Sequence, residues 1–137
     1  MARLQIFLAA LWWGSLMVLG FVVVPLLFVH LETPAIAGRM AAKLFTAQSW
    51  LSVACGLLLL LASRRQAKDT PFAPSIWVVS GVLLALLLEL AVAPHIVARE
   101  NLMLWHNLGS AFYVLQAVCA GKVLWQLTSF KTEISAP

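Results

Sequence analysis

Glu89 stands alone among acidic residues in a hydrophobic stretch that reaches from Thr70 through Leu88 and continues as Leu90 to Ala93. A carboxylate inside such a stretch costs on the order of several kcal/mol unless it is paired, hydrogen-bonded, protonated or wetted. Residues of this kind usually face a bundle interior and mark an ion, proton or substrate pathway. Glu89 lies six residues before His95, so about 9 Å from that end of its helix at about 1.5 Å per residue. Counting to a similar depth in the other hydrophobic runs reaches Pro25, then Thr46, Gln48 and Ser49, then Ser110 and Tyr113. Together with His106 these residues form a candidate ligand-binding layer: Glu89 supplies charge, and Tyr113, Ser110, Gln48 and Ser49 supply hydrogen bonds. The structural alternative has Tyr113 and Gln48 satisfying a protonated Glu89 and fixing helix register.

Other chemistries find less support. His30, His95 and His106 fall near the ends of hydrophobic runs on one side, which raises metal or haem ligation, because neutral imidazole is a common transition-metal ligand. No pair has HxxxH spacing and neither Cys nor Asp joins them, so interfacial anchoring or helix-end capping is the favoured reading, and neither metal nor cofactor is expected. Serines and histidines occur, but no GxSxG elbow or glycine-rich phosphate loop, so the expectation is a non-enzymatic protein. Lys122 is sixteen residues beyond His106, about 24 Å along a helix, too deep to pair with Glu89; it snorkels toward headgroups beside Trp125. Cys55 and Cys119 lie inside hydrophobic runs without a CxxC partner and read as packing residues.

These residues need elements to hold them. Four runs carry no charged side chain: Leu4 to Leu31, Leu44 to Ser63, Thr70 to Leu88 and Asn101 to Gly121. Each matches or nearly matches the roughly 20 apolar residues that cross a hydrocarbon core of about 30 Å. In lipid the backbone must satisfy itself, and uniformly apolar runs of this length do not alternate as barrel strands, so the runs are helices. Of the 137 residues 63% are hydrophobic and 10% charged, against about 25% charged in soluble domains, which excludes a water-soluble globule. The fold class is an all-α membrane protein, an antiparallel four-transmembrane-helix bundle. The whole of 1–137 forms one transmembrane domain with spans at about 5–30, 41–63, 75–95 and 104–127. The first run is too long for the h-region of a signal peptide and is retained.

Arg3, Arg64, Arg65, Lys68 and Lys131 gather on one side, against Arg39, Lys43 and Arg99 on the other, where Glu32 and Glu100 partly balance them. The denser side is cytoplasmic, which places both termini inside and the histidines outside. The net charge of +4 calls for no nucleic acid, because basic residues beside anionic headgroups account for it. Pro25 kinks the outer third of the first helix, and 35–45 forms an amphipathic lead-in to the second span, with Arg39 and Lys43 on one face. Pro71 and Pro74 stop helix in the inner turn, and Pro94 ends or kinks the third span. Small residues mark bundle-facing stripes: Gly81, Ala85, Glu89 and Ala93 in the third span, and His106, Ser110, Tyr113, Ala117 and Gly121 in the fourth. Gln48, Ser49, Ser52, Cys55 and Gly56 mark the second, and Ala10, Gly14 and Gly20 give the first a weaker signal. No internal repeat is evident.

The segment around Pro25, Phe28, Ala37, Gly38, Leu44 and Phe45, with His106, Gly109 and Ser110 opening the last span, resembles the transmembrane protein 205-like family. The likeness runs from about Gln5 to Trp125 and implies small four-helix architecture and membrane location, with no reaction attached. A remoter likeness, to copper-resistance-D-like permeases and the membrane protoporphyrinogen oxidase type, would imply copper or haem. This chain departs from that pattern because its histidines stay at the span edges. The expectation is therefore a protein of the bacterial inner membrane that binds or moves a small polar or cationic solute through an outward-facing polar pocket around Glu89. The alternatives are an assembly partner, whose small-residue faces dock another membrane protein or a second copy, and a haem or metal redox protein using the histidines.

Overall fold

The computed structural model describes residues 2–66 and 75–134, with side chains over 3–64 and 76–129. Most of the Arg64 to Pro74 turn, with Lys68, Pro71 and Pro74, lies outside the described residues, as do the side chains of Arg65 and Lys131. The first helix has three parts, Ala2–Val18, a π-helical turn Leu19–Val23, and Val24–His30. Pro25 accounts for the widened turn, because it has no N–H and its ring crowds the carbonyl four residues back. Just before it the ladder shifts from i+4 to i+5, and the Val24 N–H reaches the Leu19 carbonyl. Leu31 leaves the helix in extended conformation. Thr33 then starts the next one, its hydroxyl accepting the Ile36 N–H at 3.3 Å with Pro34 in the first turn.

The second helix runs unbroken from Pro34 to Gln66, so the amphipathic lead-in read over 35–45 is its first turns, continuous with the span. No proline interrupts it, and Arg39 and Lys43 are simply exposed on its first three turns. At 33 residues it is about 50 Å long, so it projects beyond a hydrocarbon core of about 30 Å or tilts within it. The third helix is broken like the first: Ser75–Leu87, a π-helical turn Leu88–Val92, then Ala93–Val97 around Pro94. A tight connection follows, with Arg99 and Asn101 in left-handed conformation at φ 58° and 37°. The fourth helix, Leu102–Ile134, has 33 residues. Four helices are thus long and apolar enough to cross a membrane, no strand occurs among the described residues, and the chain is an all-α integral membrane protein.

The two halves repeat one plan. The π-turns at Leu19–Val23 and Leu88–Val92 are 69 residues apart, as are Pro25 and Pro94, each two residues past its turn. The unbroken helices that follow begin at Pro34 and Leu102, 68 residues apart. Packing follows the same plan: the fourth helix lies against the first as the second lies against the third, and each broken helix also packs on the long helix that follows it. The sequence concealed this because lipid accepts most apolar residues at a given position, so only the positions with special geometry match.

The core gathers toward the end that carries the chain termini. Trp12, Leu16, Leu59, Val78 and Val123 are fully buried there, with Ala9, Cys55, Ala117 and Ala120 among them. Beyond the π-turns, neither Val24–His30 nor Ala93–Val97 buries a residue. The packed half and the looser half therefore meet at the two π-turns. Gly81 makes room for the buried Trp12 ring, which reaches across from the first helix, because a Cβ there would sit 2.6 Å from it.

Candidate functional site

Polar side chains meet in the middle of the spans. Gln48 is buried and donates from Nε2 to Ser15 Oγ at 3.0 Å and to Ser52 Oγ at 3.4 Å. Ser15 in turn donates to the Trp12 carbonyl and Ser52 to the Gln48 carbonyl, so all three side chains are tied to helix backbone. Gln5 and Ser63 form a second, weaker contact at 3.5 Å near the terminal end. Ser15 is the midpoint of the 28-residue first span, so this polar layer lies deeper than the outer-third layer read from the sequence. The displacement follows from the second helix, which begins at Pro34 and so adds two turns above the residues counted as its outer end.

Tyr113 belongs to the same layer. Its hydroxyl donates to the Leu16 carbonyl at 2.7 Å, just below the π-turn of the first helix. Its ring fills the space left by Gly20, where a Cβ would come within 2.7 Å of Cε1, and meets Phe45 edge-on at 5.2 Å. A side chain fitted against an opened helical turn in this way holds that turn in place.

Glu89 sits in the other π-turn, half-buried, between exposed Leu90 and buried Val92. It makes no hydrogen bond or ion pair with any described residue. Neither Tyr113 nor Gln48 is bonded to it; their donors go to Leu16, Ser15 and Ser52. The backbone around Glu89 is also incomplete. The Ala93 N–H bonds the Leu88 carbonyl, and Pro94 has no N–H, so neither the i+4 nor the i+5 donor reaches the carbonyl of Glu89. One residue thus presents a carboxylate and an unsatisfied carbonyl within the hydrocarbon depth.

The remaining sequence candidates are spread out. Ser49 is buried in the second helix, whereas Ser110 and His106 are exposed and stand apart from Glu89's unpaired carboxylate. Steps of four drift off a 3.6-residue face, so the stripe through Tyr113, Ala117 and Gly121 turns outward above Tyr113. Gly109 takes the inward place there, packed on Val92. His30 donates from Nδ1 to its own helix at the Leu26 carbonyl, 3.0 Å away. His95 donates from Nδ1 to Glu100 Oε2 at 2.7 Å and stacks on Trp105 with centroids 4.1 Å apart and planes 8° apart. The left-handed residues Arg99 and Asn101 fold Glu100 back to make that contact. Among the described residues no three His, Cys, Asp or Glu side chains gather as a metal site would require.

Two members of the layer escaped the sequence reading. Gln116 is 1% exposed and Trp12 0%, and neither Gln116 Nε2 nor Trp12 Nε1 finds a partner among the described residues. Gln116 had a signal in the sequence, since it is an uncharged polar residue deep in a span, 68 positions after Gln48. Trp12 had none, because six tryptophans are scattered over the spans and only packing distinguishes it.

Residues 7–104 match a family described as a domain of unknown function, DUF4149. The matched segment lies within the stretch over which the chain resembles the transmembrane protein 205-like family, though it bears the DUF4149 description and not that one. No curated protein and no solved structure matches.

Proposed function

Because the chain belongs to the DUF4149 family, whose description carries no activity, we propose its function from its residues: it binds, and helps to move, a small polar or cationic solute at Glu89. The observation that carries this reading is a mid-span carboxylate without a partner among the described residues. A structural carboxyl would be held by its neighbours, and here the neighbours that could hold it are bonded elsewhere. Two features support the reading further. π-Turns are frequent at functional sites, and interrupted helices at corresponding positions of two repeats point to binding sites in transporters. The carbonyl of Glu89, left without its helical donor, is a second acceptor oxygen on the same turn.

The same proposal covers location. Arg3, Arg64, Arg65 and Lys68 put both termini in the cytoplasm of a bacterial inner membrane, with the His95 end of the bundle outside. A second reading, docking to another membrane protein, is favoured by one observation: Glu89 is only half-buried, so a basic side chain from a partner has access to it. Complementation of a deletion strain tests the leading reading. Glu89→Gln, present at the wild-type level and equally stable, should lose the phenotype, whereas wild-type behaviour would sink solute handling. A partner that co-purifies with wild type and not with Glu89→Gln would favour docking.

A further inference from the structure

The repeat assigns a ligand to the Glu89 turn, an inference that rests on the solute-binding reading and names its substrate class. At the 69-residue offset, Gly20 corresponds to Glu89 and Leu16 to Ala85; at the 68-residue offset of the long helices, Phe45 corresponds to Tyr113. Both broken helices have the same backbone defect. The Val24 N–H goes to Leu19 and Pro25 has no N–H, which leaves the Gly20 carbonyl without a helical donor, as Pro94 leaves that of Glu89. In the first half, glycine makes room and the Tyr113 hydroxyl closes the region, donating to the Leu16 carbonyl. In the second half, the aromatic residue at the corresponding place is Phe45, which has no hydroxyl, and the residue at the place of glycine carries a negative charge. The second half thus lacks that hydroxyl and carries, where the first has glycine, a carboxylate with no partner among the described residues.

We propose that a small monovalent cation, bound by oxygen, completes the Glu89 turn, using the Glu89 carboxylate and the Glu89 backbone carbonyl freed by Pro94. The acceptor set decides the class. Only oxygens are offered, which suits hard cations and ammonium groups over thiophilic metals. A single carboxylate at this depth balances one positive charge. Freed helix carbonyls beside a carboxylate are the arrangement by which interrupted membrane helices hold coupling ions. An alkali ion and a primary ammonium share this chemistry.

The test uses purified full-length protein in detergent at fixed pH and ionic strength, with a hydrophobic carbodiimide, which couples to protonated carboxyls in apolar surroundings. Labelling is read by intact mass, with Glu89→Gln as the blank. Sodium, potassium and methylammonium are compared with choline, which is too bulky for the turn. A bound cation should slow labelling about tenfold at about ten times its half-protecting concentration, as mass action requires. Protection by sodium or potassium identifies an alkali site, and protection by methylammonium alone identifies an ammonium site. Pro94→Ala returns an N–H to the turn and should weaken protection, and the comparison of salts on wild type keeps the test open if that variant fails to fold. Labelling of wild type that is equal in all four salts overturns the inference. If Glu89→Gln still loses the phenotype in that case, solute handling survives without a cation; if it keeps it, both fall.

Discussion

Tyr113 can be separated into a hydroxyl that bonds and a ring that packs, and the two make different predictions. Tyr113→Phe keeps the ring and leaves the Leu16 carbonyl short of a donor, which should cost about 1–2 kcal/mol. Gly20→Ala keeps the hydroxyl and drives a Cβ into the ring, which should cost about 1–3 kcal/mol. Because the two residues touch, the double variant should depart from additivity, and denaturant unfolding in detergent measures all three. His30, His95 and His106 make a contrasting case, since His30 bonds its own helix, His95 binds Glu100 and Trp105, and His106 is exposed. Their joint replacement by Gln should leave a folded protein, and elemental analysis with an absorption spectrum of wild type should find no stoichiometric metal or haem; one equivalent that disappears in the variant would reinstate the redox reading. At this scale the sequence was legible where a residue type is costly in lipid, as with Glu89, Gln48 and Tyr113. It was silent on which of them are bonded, because that depends on helix rotation and on Ser15 and Leu16 across the interface.

Helices were the most legible level, since charge-free runs of about 20 residues leave few alternatives in a membrane. The sequence also placed Pro25 and Pro94 as irregularities, and each proves to follow a π-turn. Their consequence was not legible. A π-turn inserts a residue into the helical phase, so the inward stripe Gly81, Ala85 passes to Val92, and Glu89 is left half-buried at its edge. The lead-in over 35–45 is the start of the second helix itself, because a helix longer than the bilayer carries residues such as Arg39 and Lys43 on its projecting turns. The seat of the Trp12 ring against Gly81 of the third helix gives a prediction at this scale. Gly81→Ala meets the Trp12 ring, which is fully buried and has no room to turn, and should destabilise the bundle by about 1–3 kcal/mol. Trp12→Phe in the same chain should recover part of that loss, and thermal unfolding of the single and double variants decides it.

For the whole molecule, four spans would put both termini on one side, and the proposal that this side is cytoplasmic rests on the basic cluster from Arg64 to Lys68. An alkaline phosphatase fused after Pro137 should be inactive in the periplasm, whereas activity there would invert the orientation and turn the His95 end inward. The two-fold plan was invisible in the sequence because its matching positions, Pro25 with Pro94 and Gln48 with Gln116, are few among interchangeable apolar residues. That plan separates a closed turn, with Gly20 and Tyr113, from an open one at Glu89. The central claim is that the Glu89 carboxylate serves something outside its own chain, and the most direct measurement is the stability of Glu89→Leu beside wild type in detergent. A carboxyl with no partner among the described residues has no bond there to lose, so Glu89→Leu should be as stable as wild type or more stable by about 1 kcal/mol or more. A loss of about 2 kcal/mol or more would contradict the account, because it would mean that a neighbour in the bundle is left unpaired when the carboxylate is removed.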